Sequence, residues 1–80
     1  MSQDALKEVF ITALGISPDV DVTTLAYRGI EQWDSVAHMQ LVGEIEDRFD
    51  IMIDTQDVID MSSYEEAVRI LGKYGVTFDN

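Results

Sequence analysis

The sequence predicts an all-α fold, a small four-helix bundle with three main helices, one short helix and a long loop between helices 1 and 2. Three observations favour this fold. Apolar residues recur at helical spacing in three segments. Capping residues or glycines lie at the ends of these segments, and no two stretches pair convincingly as strands. Eighty residues allow one domain, 1–80, with a core from about residue 3 to residue 75.

The first helix is predicted over Gln3–Leu14. Its apolar residues fall on one stripe: Ala5, Leu6, Val9, Phe10, Ala13 and Leu14. Gly15 and Pro18 then end the helix. Residues 15–34 lack periodicity, and so long a connection in a compact domain is usually functional or anchored. We expect a turn at 21–24 and four anchors in the core: Leu25, Tyr27, Ile30 and Trp33.

The second helix is predicted over Ser35–Phe49. The residues expected to face the core are Val36, Met39, Val42, Ile45 and Phe49, with Leu41 at the edge of this stripe. Polar residues lie on the opposite, solvent-facing side: Gln40, Glu44 and Asp47. Asp34 and Ser35 are both favoured N-cap residues, and we expect Ser35 to lie at the cap with its hydroxyl exposed.

A short third helix is predicted after a buried linker that contains Ile51 and Ile53. Thr55 can cap this helix, which should run to about Met61. Two of its apolar residues are expected to face inward, namely Val58 and Ile59.

The last helix is predicted from the segment Ser62-Ser63-Tyr64-Glu65, which matches the S-x-x-E capping box. It should run to about Tyr74, with Gly75 in the C′ position that favours glycine. Its expected buried stripe comprises Tyr64, Ala67, Val68 and Leu71. The remaining residues, 76–80, are expected to fray.

Charge is the strongest compositional feature. The chain carries a formal net charge of −11, and residues 31–60 contain nine acidic side chains against Arg48 alone. Such a field repels nucleic acid and anionic membranes, and it attracts basic protein surfaces. Solubility alone is the alternative explanation. The chain has no cysteine, no apolar run of membrane-spanning length and no secretory signal pattern, so we expect a cytoplasmic protein.

Catalysis and metal binding are both disfavoured. Ser35 and His38 could share a helix face, but catalysis also needs an orienting group, an oxyanion site and a substrate pocket. His38 is the only histidine, and a bundle of 80 residues has little room for a pocket, so we expect no enzyme activity. A calcium loop beginning at Asp19 would need glycine and glutamate where the chain has Thr24 and Ile30. One histidine and no cysteine disfavour zinc.

One set of residues resembles the acyl and peptidyl carrier proteins: Asp34-Ser35-Val36, Met39, Leu41-Val42, Ile45-Glu46-Asp47 and Phe49-Asp50. The resemblance covers nearly the whole chain, including the first helix, the long loop and the serine-rich start of the last helix. The family signature is Asp-Ser-Leu, and Val36 replaces its leucine with another apolar residue. The short motif alone is weak, but length, acidity and helix layout support it.

The resemblance implies a covalent cofactor, 4′-phosphopantetheine, attached to Ser35. A phosphopantetheinyl transferase would transfer it from coenzyme A and would recognise Asp34. The terminal thiol of this arm would carry acyl, aminoacyl or peptidyl groups as thioesters. Independently of the family, a serine at a helix start suits a phosphate ester, because the backbone N–H groups and the helix dipole favour an anion there.

The resemblance also implies partners with basic docking surfaces, such as an acyltransferase, ligase or synthase, that bind a monomeric carrier. The expected docking residues are Val36, Gln40, Gly43, Glu44, Glu46 and Asp47. Trp33, Gln40 and Gly43 differ from common fatty-acid carriers, which favours a specialised polyketide or nonribosomal-peptide type of pathway. Two alternatives stay open: a general fatty-acid carrier, and an unmodified acidic helical interaction domain in which Ser35 only caps a helix.

Overall fold

The described part of the computed structural model, residues 3–78, contains four α-helices. They are α1 (Gln3–Leu14), α2 (Ser35–Phe49), α3 (Thr55–Asp60) and α4 (Tyr64–Lys73). A short 3-10 turn, Val22–Thr24, interrupts the connection between α1 and α2. The predicted all-α bundle of three main helices and one short helix is therefore confirmed. None of these four helices is long and apolar enough to cross a membrane.

The bounds predicted for α1 and α2 agree with the structure. Gly15 ends α1 with a φ of +64°, a left-handed conformation that glycine adopts without the steric cost of a Cβ atom. The amide of Ile16 then donates to the carbonyl of Ile11 over 3.2 Å, which satisfies one of the last helical carbonyls. Asp50 ends α2 in the same conformation, with a φ of +55°.

The predicted orientation of α2 is wrong in its first turn. Val36 and Met39 were expected to face the core, but their side chains are 70% and 60% exposed. Leu41, expected at the edge of the stripe, is completely buried. The residues of α2 that face the core are Leu41, Val42, Ile45 and Phe49. Trp33 lies against the first turn of α2, stacked on His38, so that the loop supplies the apolar packing there.

The long connection is anchored partly as predicted. Leu25 and Trp33 are buried, whereas Tyr27 and Ile30 are half-buried, and Val22 in the 3-10 turn is an additional buried residue. The loop is also tied to the start of α4 through its backbone: the amide of Tyr27 donates to the carbonyl of Ser62 over 2.8 Å. These contacts explain how a long irregular segment holds one conformation.

The inward face of α3 also differs from the prediction. Ile59 is 68% exposed and Val58 is half-buried, while Asp57 is only 4% exposed. The N-cap is Asp54 rather than Thr55, and its side chain accepts from the amide of Asp57 over 3.1 Å. The Asp57 carboxylate faces inward, where Lys73 of α4 and Tyr74 just after it donate hydrogen bonds to it.

The cap of α4 lies one residue later than the capping-box prediction. Ser63 is the N-cap, and its hydroxyl accepts from the amide of Glu66 over 3.1 Å. On the inner face, Val68 is half-buried and Ile70 is completely buried, whereas the prediction had included Val68 and omitted Ile70. The remaining predicted residues are buried as expected: Tyr64, Ala67 and Leu71.

The segment after α4 is ordered through Phe78, contrary to the expected fraying. Gly75 has a φ of +85°, and the amide of Val76 donates to the carbonyl of Leu71 over 3.0 Å, as in a Schellman cap. Val76 is buried, and the ring of Phe78 packs edge-on against Phe49 at 6.1 Å between centroids. The expectation for residues 79 and 80 lies outside the described residues.

Asp57 is the only buried charged residue within residues 3–78. Its carboxylate accepts hydrogen bonds from Lys73 Nζ and from the hydroxyl of Tyr74, each over 2.6 Å. The hydrogen bond from Lys73, followed by the one from Tyr74, lowers the pKa of Asp57 below its ordinary 3.8. A carboxyl group with a lowered pKa stabilises the folded state above its unfolded pKa, and this contribution disappears as pH falls through the folded pKa.

We therefore expect Asp57→Asn to lower the melting temperature at pH 7 by about 5 °C or more. Below pH 3.8 the difference from the wild type should shrink, because the carboxyl group of the unfolded chain then takes up a proton more readily than the folded one, whose pKa is lower. Thermal unfolding followed by circular dichroism at pH 7 and pH 3 measures both values. Asp60→Asn, an exposed position on the same helix, is the control. A difference for Asp57→Asn that stays constant between the two pH values would contradict this prediction.

Candidate functional site

The candidate site lies where the long loop enters α2. Asp34 is the N-cap, with extended backbone angles, and its Oδ1 accepts from the amide of Ala37 over 2.9 Å. Ser35 is the first residue of the helix and is exposed. The expectation that Ser35 itself lies at the cap is therefore off by one residue. Because Asp34 does the capping, the Ser35 hydroxyl remains available to solvent.

The loop before this site is closed by its backbone. The amide of Arg28 donates to the carbonyl of Trp33 over 2.9 Å, and Arg28 has a left-handed φ of +64°. The guanidinium carbon of Arg28 lies 5.5 Å from the centre of the Tyr27 ring. A left-handed arginine is uncommon, and it persists only where the surroundings determine it. This closed loop sets the position of Trp33 immediately before Asp34 and Ser35.

Trp33 joins the loop, α2 and α3 through one hydrogen-bonded chain. Its side chain is completely buried, and its Nε1–H donates to His38 Nδ1 over 3.0 Å. An indole N–H can only donate, so Nδ1 must accept, and the proton of the neutral imidazole lies on Nε2. His38 Nε2 lies 2.8 Å from the carbonyl oxygen of Val58 and donates to it. Both ring nitrogens are thus used, which leaves no free base on His38 for Ser35.

An apolar groove adjoins Ser35, and the sequence did not predict it. Its volume is about 310 Å³, and it lies between α2 and α3. Besides Ser35, its lining consists of Tyr27, His38, Met39, Val58, Ile59 and Met61. Met39 and Ile59 form its exposed rims. The sequence signal that could have located the groove is a pair of large apolar residues, Met39 on α2 and Ile59 on α3, but periodicity had placed both in the core.

Four of the six predicted docking residues meet in one cleft between α1 and α2. The cleft has a volume of about 560 Å³, and the docking residues that line it are Gln40, Gly43, Glu44 and Asp47. A Cβ atom added at Gly43 would meet nothing within 4 Å, so packing does not require glycine there. The position instead leaves open space beside α2, next to the acidic Glu44.

The other two predicted docking residues are placed differently. Val36 is 70% exposed on the first turn of α2, next to Ser35. Glu46 is half-buried, and its Oε2 accepts from the amide of Ile53 over 2.9 Å. Its carboxylate therefore holds the segment after α2 in place, and less of it faces solvent than at Glu44 or Asp47.

Asp34→Asn should separate the charge of Asp34 from its capping role. Asparagine caps helices about as well as aspartate, so we expect the melting temperature to change by only about 2–4 °C. If a transferase recognises the carboxylate, modification of Ser35 should slow by about tenfold or more, as expected for loss of a charged contact. The rate is measured by mass spectrometry over time. Asp54→Asn, which changes the N-cap of α3 in the same way, is the matched control and should be modified at the wild-type rate.

Comparison with known proteins gives no relative. No protein-family model, no curated protein and no solved structure matches the chain. Within residues 3–78, no group of three or more histidine or acidic side chains is arranged to hold a metal ion.

Proposed function

We propose that this chain is a discrete acyl carrier protein. In this proposal a 4′-phosphopantetheine arm is attached to Ser35, and its thiol holds acyl, aminoacyl or peptidyl groups as thioesters. The carrier passes these groups between the enzymes of a specialised biosynthetic pathway of polyketide or nonribosomal-peptide type. It performs no chemistry of its own, and the thiol that the sequence lacks comes with the arm.

The observation that carries the proposal is that Asp34 caps α2, whereas Ser35, the next residue, is exposed and does not cap it. Asp34 satisfies the first turn of α2, so the adjacent hydroxyl is exposed at a helix N-terminus without being needed for capping. A phosphodiester at this position would lie beside backbone N–H groups and the positive end of the helix dipole. An unmodified interaction domain would need only one of these two capping residues.

The charge distribution supports a role in transient encounters. Exposed acids on α2, together with the net charge of −11, favour fast association with basic enzyme surfaces. Contacts of this kind raise association rates more than they raise affinity, which suits a carrier that must leave each partner. The open surface at Gly43 and the uncharged Gln40 support a partner set other than that of a general fatty-acid carrier.

The proposal is tested by incubating the chain with coenzyme A, Mg²⁺ and a broad-specificity phosphopantetheinyl transferase. Intact-mass measurement should show the addition of one phosphopantetheine group, and peptide mapping should locate it at Ser35. If the chain stays unmodified while a control carrier is modified in the same mixture, the carrier function is rejected. That result would favour the unmodified interaction domain.

A further inference from the structure

Arg28 is an exposed basic residue in the loop that leads to the proposed attachment point. We propose that its guanidinium binds the phosphodiester of the arm on Ser35 and so limits the motion of the arm at its base. The inference rests on the proposed function, since it needs the arm to be attached to Ser35. It adds a positioning residue that the chain itself supplies to the phosphate.

The backbone of the loop brings Arg28 close to Ser35. The amide of Arg28 donates to the carbonyl of Trp33 over 2.9 Å, and Trp33 is only two residues before Ser35. The Cα atoms of residues two positions apart are separated by no more than about 7 Å, even in an extended chain. A phosphate on the Ser35 hydroxyl is therefore within reach of a side chain as long as that of arginine.

The side chain of Arg28 also lies on the side of the loop that faces the site. Its guanidinium carbon is 5.5 Å from the centre of the Tyr27 ring, and Tyr27 lines the same groove as Ser35. Arg28 and Asp34 line a second depression on the surface. Tyr27 is the main cause of the raised pKa of Arg28, and the negative charge of Asp34 contributes to it. The guanidinium is thus close to the residues on either side of the attachment point.

Other basic residues of the chain are already paired with acids. Three of the five form salt bridges: Arg48 with Glu8, Arg69 with Glu66, and Lys73 with Asp57. The guanidinium of Arg28 is held near an aromatic ring instead. A ring face is not a carboxylate, so this contact leaves the guanidinium able to bind an anion. The planar arrangement of its N–H donors matches two oxygens of a phosphate group.

The backbone conformation of Arg28 indicates that its side chain has a role. Its φ is +64°, a left-handed conformation that glycine adopts at no steric cost and that asparagine tolerates better than arginine does. One role is the contact with Tyr27, which would stabilise the loop with or without the arm. Binding of the phosphodiester is the second role, and it exists only after modification. Comparison of the two forms of the protein therefore separates them.

The charges around Ser35 show why a cation is useful there. The phosphodiester adds a negative charge next to the Asp34 carboxylate, in a chain whose net charge is already −11. Like charges at this distance repel each other, and a guanidinium nearby offsets the repulsion. Because the contact is exposed to solvent, it is weak and is screened by salt. The arm is therefore held at its base but can still turn toward a partner enzyme.

Nuclear magnetic resonance of the ¹⁵N-labelled chain tests the inference before and after modification. The chain has three arginines, so three Nε–H signals are expected. After modification the Arg28 Nε–H should shift and should exchange with water about two- to fivefold more slowly, the range expected for an exposed charged pair. High salt should reduce this protection. The signals of Arg48 and Arg69 should not change, because these residues are already paired with acids. An Arg28 signal that is the same in both forms would overturn the inference.

The phosphorus signal of the arm provides a second measurement, on variants modified to completion. It should move in Arg28→Gln and return part of the way in Arg28→Lys, which keeps the charge but not the planar donors. Arg48→Gln is the matched control, because it removes the same charge near the other end of α2. An equal movement in Arg28→Gln and Arg48→Gln would overturn the inference, since net charge alone would then explain it.

The two proposals fail in different ways. A chain that is modified, but whose Arg28 signal does not respond, rejects only the role of Arg28. A chain that cannot be modified rejects the carrier function and, with it, this inference.

Discussion

Ser35→Ala is expected to receive no phosphopantetheine under conditions that convert the wild type completely. In the proposed reaction the serine oxygen attacks the phosphorus of the coenzyme A diphosphate that bears the pantetheine, the diphosphate bond breaks, and adenosine 3′,5′-bisphosphate leaves. The alanine lacks this oxygen. The change should leave the fold intact, because Asp34 is the cap of α2 and the Ser35 side chain is exposed. Substitutions at such surface positions usually alter the free energy of unfolding by less than about 0.5 kcal/mol.

Ser63→Ala should show the opposite result, a lower stability with unchanged modification. Its hydroxyl caps α4, and its loss should cost about 0.5–2 kcal/mol in the free energy of unfolding. The variant should nevertheless be modified as fully as the wild type at a temperature where it is folded. Intact mass and thermal unfolding, measured on both variants, separate the chemical role of one serine from the structural role of the other. Modification of Ser35→Ala would assign the arm to another hydroxyl.

Trp33→Ala is expected to have the largest effect on stability. The indole is completely buried, packs edge-on against Phe10 at 5.5 Å between ring centroids and donates to His38. Replacing a buried tryptophan with alanine costs about 3–5 kcal/mol. A domain of 80 residues has a total stability of roughly 4–12 kcal/mol, so this single change removes a large part of it. The structural reason is that the loop has no other completely buried aromatic anchor among its described residues.

Urea unfolding followed by far-ultraviolet circular dichroism measures this effect; fluorescence does not serve, because Trp33 is the only tryptophan. Trp33→Phe retains an aromatic ring but loses the donor to His38, and it should cost less, about 1–3 kcal/mol. Val36→Ala is the control for apolar truncation, with an expected change below about 0.5 kcal/mol because Val36 is 70% exposed. A Trp33→Ala variant as stable as Val36→Ala would contradict the assignment of Trp33 as the principal anchor of the loop.

The errors in the sequence prediction share one cause. Helical periodicity identifies which residues share a stripe, but neighbouring stripes overlap when apolar residues are frequent. In α2 both Val36 and Leu41 fit an inward stripe, and only the packing of Trp33 against the first turn decides that Leu41 is inside. In α3 the same ambiguity placed Ile59 inside, whereas the ion pair between Asp57 and Lys73 turns the helix the other way.

The capping positions show a similar limit at shorter range. Two adjacent residues with equal capping preference occur before α2 and again before α4. Asp34 caps rather than Ser35, and Ser63 caps rather than Ser62. Before α4, Ser63 is the cap while the backbone of Ser62 makes a tertiary contact: its carbonyl accepts a hydrogen bond from the amide of Tyr27 in the loop between α1 and α2. The helix-capping preference of a residue does not include such a distant contact, so it cannot decide between two adjacent candidates.

By itself, the sequence determined the fold class, the bounds of α1 and α2 and the exposed serine at the helix start, because glycine stops, capping residues and apolar periodicity are local signals. The acidic character of α2 was likewise readable from composition. Only the tertiary structure decided which side of α2 and of α3 is buried, which of the two serines before α4 caps that helix, and that a groove adjoins Ser35. These features depend on contacts between residues far apart in the chain, such as Trp33 with Phe10 and His38 with Val58, where packing outweighs local preference.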